Sequence, residues 1–238
     1  MNPKLALNKK GVTLIELLVG LVISAIIVTG IYRVFIAQTR AYTVQDQVVD
    51  VQQNIRSAME LMLRDIRMAG YKSNINPVTL VTAIFPGDNA IVRSDAVKVE
   101  YQQAGNRNTV VYYRDANSQL IRQLYINGNL NSTDTVLQNL VPAPNAPNGL
   151  QFTYGVDGIV GLDTSQDGGM DDQNGDGVIN DSDWVSAAAV NGGNLNIIAI
   201  RVSLSAGPPP GNPDTVNIVP RNLVSTVNLR NLCLIKNN

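Results

Sequence analysis

The chain has 238 residues, a formal net charge of −1 and a charged fraction of 16%. That length allows one large domain or two small ones, and the charge argues against both a basic nucleic-acid binder and a long disordered chain. With no histidine and one cysteine, Cys233, the composition excludes Ser-His-Asp and Cys-His catalysis, His-ligated zinc, cysteine-cluster metal sites and an intrachain disulfide.

Residues 1–11, MNPKLALNKKG, carry Lys4, Lys9 and Lys10 and no acid. Residues 12–31 are largely apolar and hold a single charge, Glu16. Twenty residues at about 1.5 Å each cover roughly 30 Å, enough to cross a bilayer core. The preceding lysines place the N-terminus in the cytoplasm and the bulk of the chain outside it. A secretory leader cut after its apolar core needs a core of about 7–15 residues and a small-x-small site beyond it. This core is longer, and Ser24-Ala25 falls inside it, so such a cut is disfavoured. An acid inside an apolar span costs roughly 2.5–3.5 kcal/mol on insertion scales and calls for a partner. Glu16 can snorkel to the cytoplasmic interface. Alternatively it can meet a cation at its own depth, such as the α-amine that a cut between Gly11 and Val12 would create on a packed neighbour.

The run Lys9-Lys10-Gly11-Val12-Thr13-Leu14-Ile15-Glu16 resembles the type IV prepilin signature. That signature has a short basic leader, glycine before the cut, and an apolar stretch with glutamate as its fifth residue. The resemblance implies cleavage after Gly11 by a membrane prepilin peptidase, with N-methylation of the new terminus. It also implies pairing of Glu16 with a neighbouring subunit's amine during assembly. Val12 departs from the pattern, since many members carry phenylalanine there.

Beyond the apolar run, Val34, Ala37, Ala41, Val44, Val48, Val51, Ile55, Ala58, Met62 and Ile66 recur at spacings of three and four, one stripe of a helix. No proline lies between Pro3 and Pro77, and Gly70 is placed to end the helix. A helix over 12–69 would be roughly 85 Å long. Its inner half is expected in membrane or filament core and its outer half beneath a globular head; the stripe alone would equally suit a coiled coil, but the β-rich chain that follows favours head packing. The stretch Arg64-Asp65-Ile66-Arg67-Met68-Ala69-Gly70-Tyr71 resembles the end of the long helix in PilW-type minor pilins. These also tend to finish near Leu-Arg-Asn, here Leu229-Arg230-Asn231.

From about residue 76 the period falls to two. Candidate strands are 78–84, 96–102, 109–114, 119–126, 135–141, 150–154, 195–205 and 222–229, separated by Gly, Asn and Pro clusters. The expected fold is α+β: a leader (1–11), a long helix (12–70, with 12–31 crossing the membrane) and a β-rich head (71–238). In that head an antiparallel sheet lies on the outer half of the helix.

Residues 163–183 contain seven of the 19 acidic residues, all aspartate, and no lysine or arginine. Within them Asp172-x-Asn174-x-Asp176-Gly177-Val178-Ile179-x-x-x-Asp183 fits an EF-hand-type calcium loop. Oxygen ligands fall at positions 1, 3 and 5, with glycine at the turn and the Val178 carbonyl at position 7. Asn180 can act through water, and Asp183 closes the loop where most EF-hands use glutamate. A short helical run is expected at 184–190. The loop resembles the dockerin-like variant, which also ends in aspartate. It lacks an entering helix and a good second loop; Asp163, Ser165 and Asp167 begin a similar spacing but put Asn174 at the final position. The alternative is a surface turn that binds nothing. A lone loop outside the cytoplasm works at about 10⁻⁴–10⁻³ M, with a structural role.

Of three glutamates, Glu16 and Glu60 lie on the helix, leaving Glu100 in the head. That is poor material for a paired-carboxylate hydrolase. Neither Gly168-Gly169 nor Gly192-Gly193 opens a helix after a strand, as a phosphate loop must. Without the leader's lysines, 15 basic residues face 19 acidic ones, so no nucleic-acid partner is expected. The sequence thus reads as a filament subunit rather than an enzyme. Its expected partners are other pilins and minor pilins, the prepilin peptidase and the inner-membrane assembly machinery. Its expected place is the inner membrane, then the pilus. The alternatives are a type II secretion pseudopilin and a calcium-dependent adhesin on an uncleaved anchor.

Overall fold

The computed structural model describes residues 11–71, 78–79, 93–158, 169–191, 196–211, 213–215 and 218–229. The leader up to Lys10, strand positions 80–84 and 195, the Asp163–Asp167 half-loop, Gly192-Gly193, Arg230-Asn231 and Cys233 lie outside these. The chain divides into two compact units, Met1–Asp46 and Gln47–Asn238.

Helix α1 covers Leu14–Arg67, 54 residues without a break. It starts two residues later and stops two residues earlier than the stripe suggested. Arg64 and Arg67 occupy its last turn, where cations favour the negative end of the helix dipole. Gly70 then takes φ 75°, the left-handed turn that ends helices and that a Cβ disfavours. Its N–H donates to the Glu100 carbonyl (2.9 Å), and the Gln102 N–H donates to the Tyr71 carbonyl (2.8 Å). The helix end is therefore stitched to a strand.

In the second unit, strands β1 (Val78–Thr79), β2 (Ala96–Gln103), β3 (Asn106–Arg114), β4 (Leu120–Ile126) and β5 (Asn129–Leu137) form an antiparallel sheet in that order. The β2–β3 and β4–β5 hairpins turn through Ala104-Gly105 and Asn127-Gly128. All four residues have positive φ, as two-residue hairpin loops of matching twist require. A second antiparallel sheet has the order β7-β6-β8-β9, from β6 (Leu150–Asp157), β7 (Val185–Ser186), β8 (Asn196–Ala206) and β9 (Arg221–Asn228). The expected single sheet is thus two. The α+β class and the antiparallel pairing hold.

One core joins α1 to both sheets. Val51, Ile55, Ala58, Met62 and Ile66 of the helix are buried in one cluster with Val97, Val99, Val110, Tyr112 and Leu120 of the first sheet. Phe152, Tyr154, Ile200, Val202 and Leu204 of the second sheet belong to the same cluster. The stripe's packing begins only here: Val44 and Val48 are half-buried, while Val34, Ala37 and Ala41 are exposed. A polar link crosses this core. Asp65 is 4% exposed, and its Oδ2 accepts from the Tyr112 hydroxyl and from Arg122 Nε, both at 2.8 Å. Tyr112 is displaced above the usual phenol range, first by burial and then by the Asp65 charge, while Asp65 holds Arg122 above its ordinary value against desolvation. Buried charges persist only when paired in this way.

Candidate functional site

Two segments carry the expected functional residues, one in each unit. In the first, Gly11 and Val12 are exposed and precede the helix, so the bond expected to be cut is not locked into helical hydrogen bonding. A Cβ at Gly11 would meet nothing within 4 Å; the isolated chain gives no steric reason for that glycine. From Val12 to Phe35 every large apolar side chain is exposed, on all sides of the helix. Apolar surface of that extent calls for lipid or other helices around it. The hydroxyls within it and just beyond it raise no unmet demand. Ser24, Thr29, Thr39 and Thr43 donate to the carbonyls four residues back (Gly20, Ala25, Phe35, Thr39) at 2.7–3.1 Å, as hydroxyls do where water is absent.

Glu16 sits in the first helical turn and its carboxylate folds back onto Thr13. Oε2 accepts from the Thr13 N–H and from the Thr13 hydroxyl, both at 2.8 Å, while the Glu16 N–H approaches Thr13 Oγ1 at 3.4 Å. This is a capping box. The sequence reading overlooked Thr13, although Thr-x-x-Glu before an apolar run is its written signal.

The second segment is the aspartate loop, of which residues 169–183 are described. It lies against the second sheet on the face away from the core. Met170 and Trp184, at its two ends, meet over Gly155: a Cβ there would stand 3.0 Å from Met170 Sδ, 3.1 Å from Ala199 Cβ and 3.5 Å from the indole. Asp171 N–H donates to the Val156 carbonyl at 3.1 Å. Arg201 on β8 stacks 4.2 Å from the Trp184 ring centroid and donates to Asp181 at 2.8 Å. The loop is thereby anchored at both ends. The expected helical run at 184–190 divides into β7, which pairs with Thr153 and Tyr154, and a short helix, Ala187–Asn191.

Inside the loop Asp172 accepts from the N–H groups of Asn174, Gly175 and Gly177. These hold its carboxyl below the ordinary aspartate value, Gly177 foremost. Asp183 is fully buried and accepts from the N–H groups of Gln173 and Asn180, at 2.8 and 2.7 Å. Gly175 and Gly177 adopt φ 77° and 81°, which side-chain-bearing residues resist. Asp176 Oδ2 and the Val178 carbonyl converge on one donor, the Asn180 amide, at 3.1 Å each. Among the described residues no three acidic side chains gather closely enough to hold a metal ion; the carboxylates of Asp172, Asp176 and Asp183 are turned onto the loop's own backbone. The donor chemistry is nevertheless all oxygen, which suits a hard cation.

Residues 7–32 match the family described as the prokaryotic N-terminal methylation motif. Neither a curated protein nor a solved structure matches the chain. By length and composition α1 is apolar enough near its N-terminus to cross a membrane. The matched motif and the helix that follows it support a structural protein of the type IV pilin-like kind, anchored in a membrane before assembly.

Proposed function

We propose that the chain is a PilW-like minor pilin, a subunit that takes part in starting assembly of a type IV pilus and lies at or near its tip. The observation that carries this reading is the methylation motif running directly into a helix whose apolar surface is exposed on every side. The helix end adds support. In the stretch that resembles PilW-type pilins, Asp65 fastens the helix to β3 and β4 and Gly70 makes the turn onto β2.

The sequence of events is the one the prepilin resemblance implies. The helix inserts with the head outside the cytoplasm, and the peptidase cuts between Gly11 and Val12. The freed subunit then packs its apolar surface against other pilins, and Glu16 sets register against a neighbour's amine. Such a pair forms strongly where water is excluded. The head's loop takes a structural calcium ion through Asp172, Asn174, Asp176, the Val178 carbonyl and Asp183, with Asn180 acting through water. Bound calcium would supply charge neutralisation to the aspartates. The meeting of Asp176 and Val178 oxygens on one amide nitrogen, and the two left-handed glycines, support that reading.

The test is the mass of the N-terminal peptide of the protein recovered from its native membrane or filament fraction. A chain beginning at Val12, with or without a methyl, is the expected result. A chain retaining Met1 or Lys10 would sink the pilin mechanism and leave a membrane-anchored surface protein. Co-purification with pilus rather than secretion-system components separates the minor pilin from a type II pseudopilin.

A further inference from the structure

Among the described residues, Glu16 is held through one of its two oxygens. Oε2 accepts both donors of Thr13, the N–H and the hydroxyl, while Oε1 has no hydrogen bond among the described residues. The carboxylate is thereby turned back along the helix toward Val12, the residue whose nitrogen becomes the mature N-terminus if the chain is cut after Gly11. We propose that Thr13 is a positioning residue for assembly: it fixes the Glu16 rotamer through Oε2 and leaves Oε1 presented to an incoming amine. The inference rests on the filament reading above.

The physics has two parts. Before assembly, an acid in apolar surroundings needs hydrogen bonds from its own chain, and the capping box supplies two of them. At assembly, a glutamate already confined to one rotamer loses less side-chain freedom when it meets its partner. Serine keeps the hydroxyl and the cap. Valine keeps the shape of threonine, lacks the donor, and is among the poorest N-cap residues.

The experiment uses the full chain in its native host, as wild type, Thr13→Ser, Thr13→Val, Glu16→Leu and the Thr13→Val/Glu16→Leu double variant. Two quantities are read: the mature N-terminus, and the ratio of the subunit in sheared filaments to that in the membrane. The expected result is processing in all variants, a ratio about 5-fold lower for Thr13→Val, and a near wild-type ratio for Thr13→Ser. The double variant should assemble no worse than Glu16→Leu alone, because Thr13 acts through Glu16. A wild-type ratio for Thr13→Val overturns the proposal, as does a double variant in which the two losses multiply. Thr13→Ala repeats the comparison if valine slows the cut. A separate measurement stands apart from filaments. In detergent micelles the Thr13 amide proton resonance should move upfield in Glu16→Leu, and an unmoved resonance overturns the capping box itself. A wild-type chain that is never processed overturns the filament reading, and this inference with it, while leaving the micelle result intact.

Discussion

Asp65 shows how much one residue can carry. It is the only carboxylate on the buried stripe of α1, and two donors from different strands end on one of its oxygens. Truncating it leaves the Arg122 guanidinium, whose side chain is 13% exposed, in the core without its closest anion. Asp65→Ala should therefore lower unfolding stability by about 3–5 kcal/mol, read from urea denaturation, with part recovered in the Asp65→Ala/Arg122→Met double variant. Tyr154 is the opposite case. Its hydroxyl is buried with no partner among the described residues, so Tyr154→Phe should be neutral or stabilising by up to about 2 kcal/mol at pH 7. Burial raises the Tyr154 and Tyr112 phenols above their ordinary value of 10.0. A raised phenol favours the folded state fully below the unfolded value and loses that contribution as pH climbs toward the folded one. Stability should thus fall above about pH 10, and less steeply in Tyr154→Phe. The role of Asp65 was not legible beforehand, because its two partners lie 47 and 57 residues away in sequence and no local pattern encodes them.

Among the elements, α1 was legible almost to its ends, since a 3.6-residue period sustained over many turns has no competing explanation. Most strands were found within a few residues. β7, expected as helix, and β5 are the exceptions; for β5 alternation suggested a start at Thr135, but pairing begins at Asn129. Asn-Leu-Asn-Ser is poor strand material by composition. The Asn127-Gly128 turn forces it alongside β4, and turn geometry overrides propensity. The aspartate loop's spacing was equally plain to read, whereas its seat on Gly155, Met170, Trp184 and Arg201 was not. That seat supplies a test. Trp184 is the sole tryptophan and adjoins Asp183. Calcium at about 10⁻⁴–10⁻³ M should therefore change its fluorescence and raise the melting temperature, and Asp172→Ala should abolish both effects. Emission that stays constant well above that range would remove calcium from the account.

For the whole molecule, the split into two sheets escaped the sequence because each strand alternates equally well whichever sheet receives it. The partition is made between β5 and β6, where Leu140 bridges to Ala206. There Gly149 at φ 82° passes so close that a Cβ would stand 2.8 Å from that of Leu140. The division of labour along α1 gives a prediction at this scale. Burial begins at Val51, so a chain lacking residues 1–31 should be soluble, unfold cooperatively and keep its melting temperature within a few degrees of the full chain's in detergent. Aggregation or early melting of that fragment would show that the apolar span also stabilises the head.

The single core described above also sets a timetable for synthesis. The helix face from Val51 to Ile66 shares its cluster with Val227 and Leu229, which emerge from the ribosome about 160 residues later. At roughly 5–20 residues per second this is an interval on the order of 10–30 s. Throughout it the membrane-tethered helix offers Ile55, Met59, Met62 and Ile66 to its surroundings with the second sheet unfinished. The nascent subunit is therefore most prone to mistaken association before its last strand arrives. A stop codon that removes β9 should be felt first as clumping at the membrane.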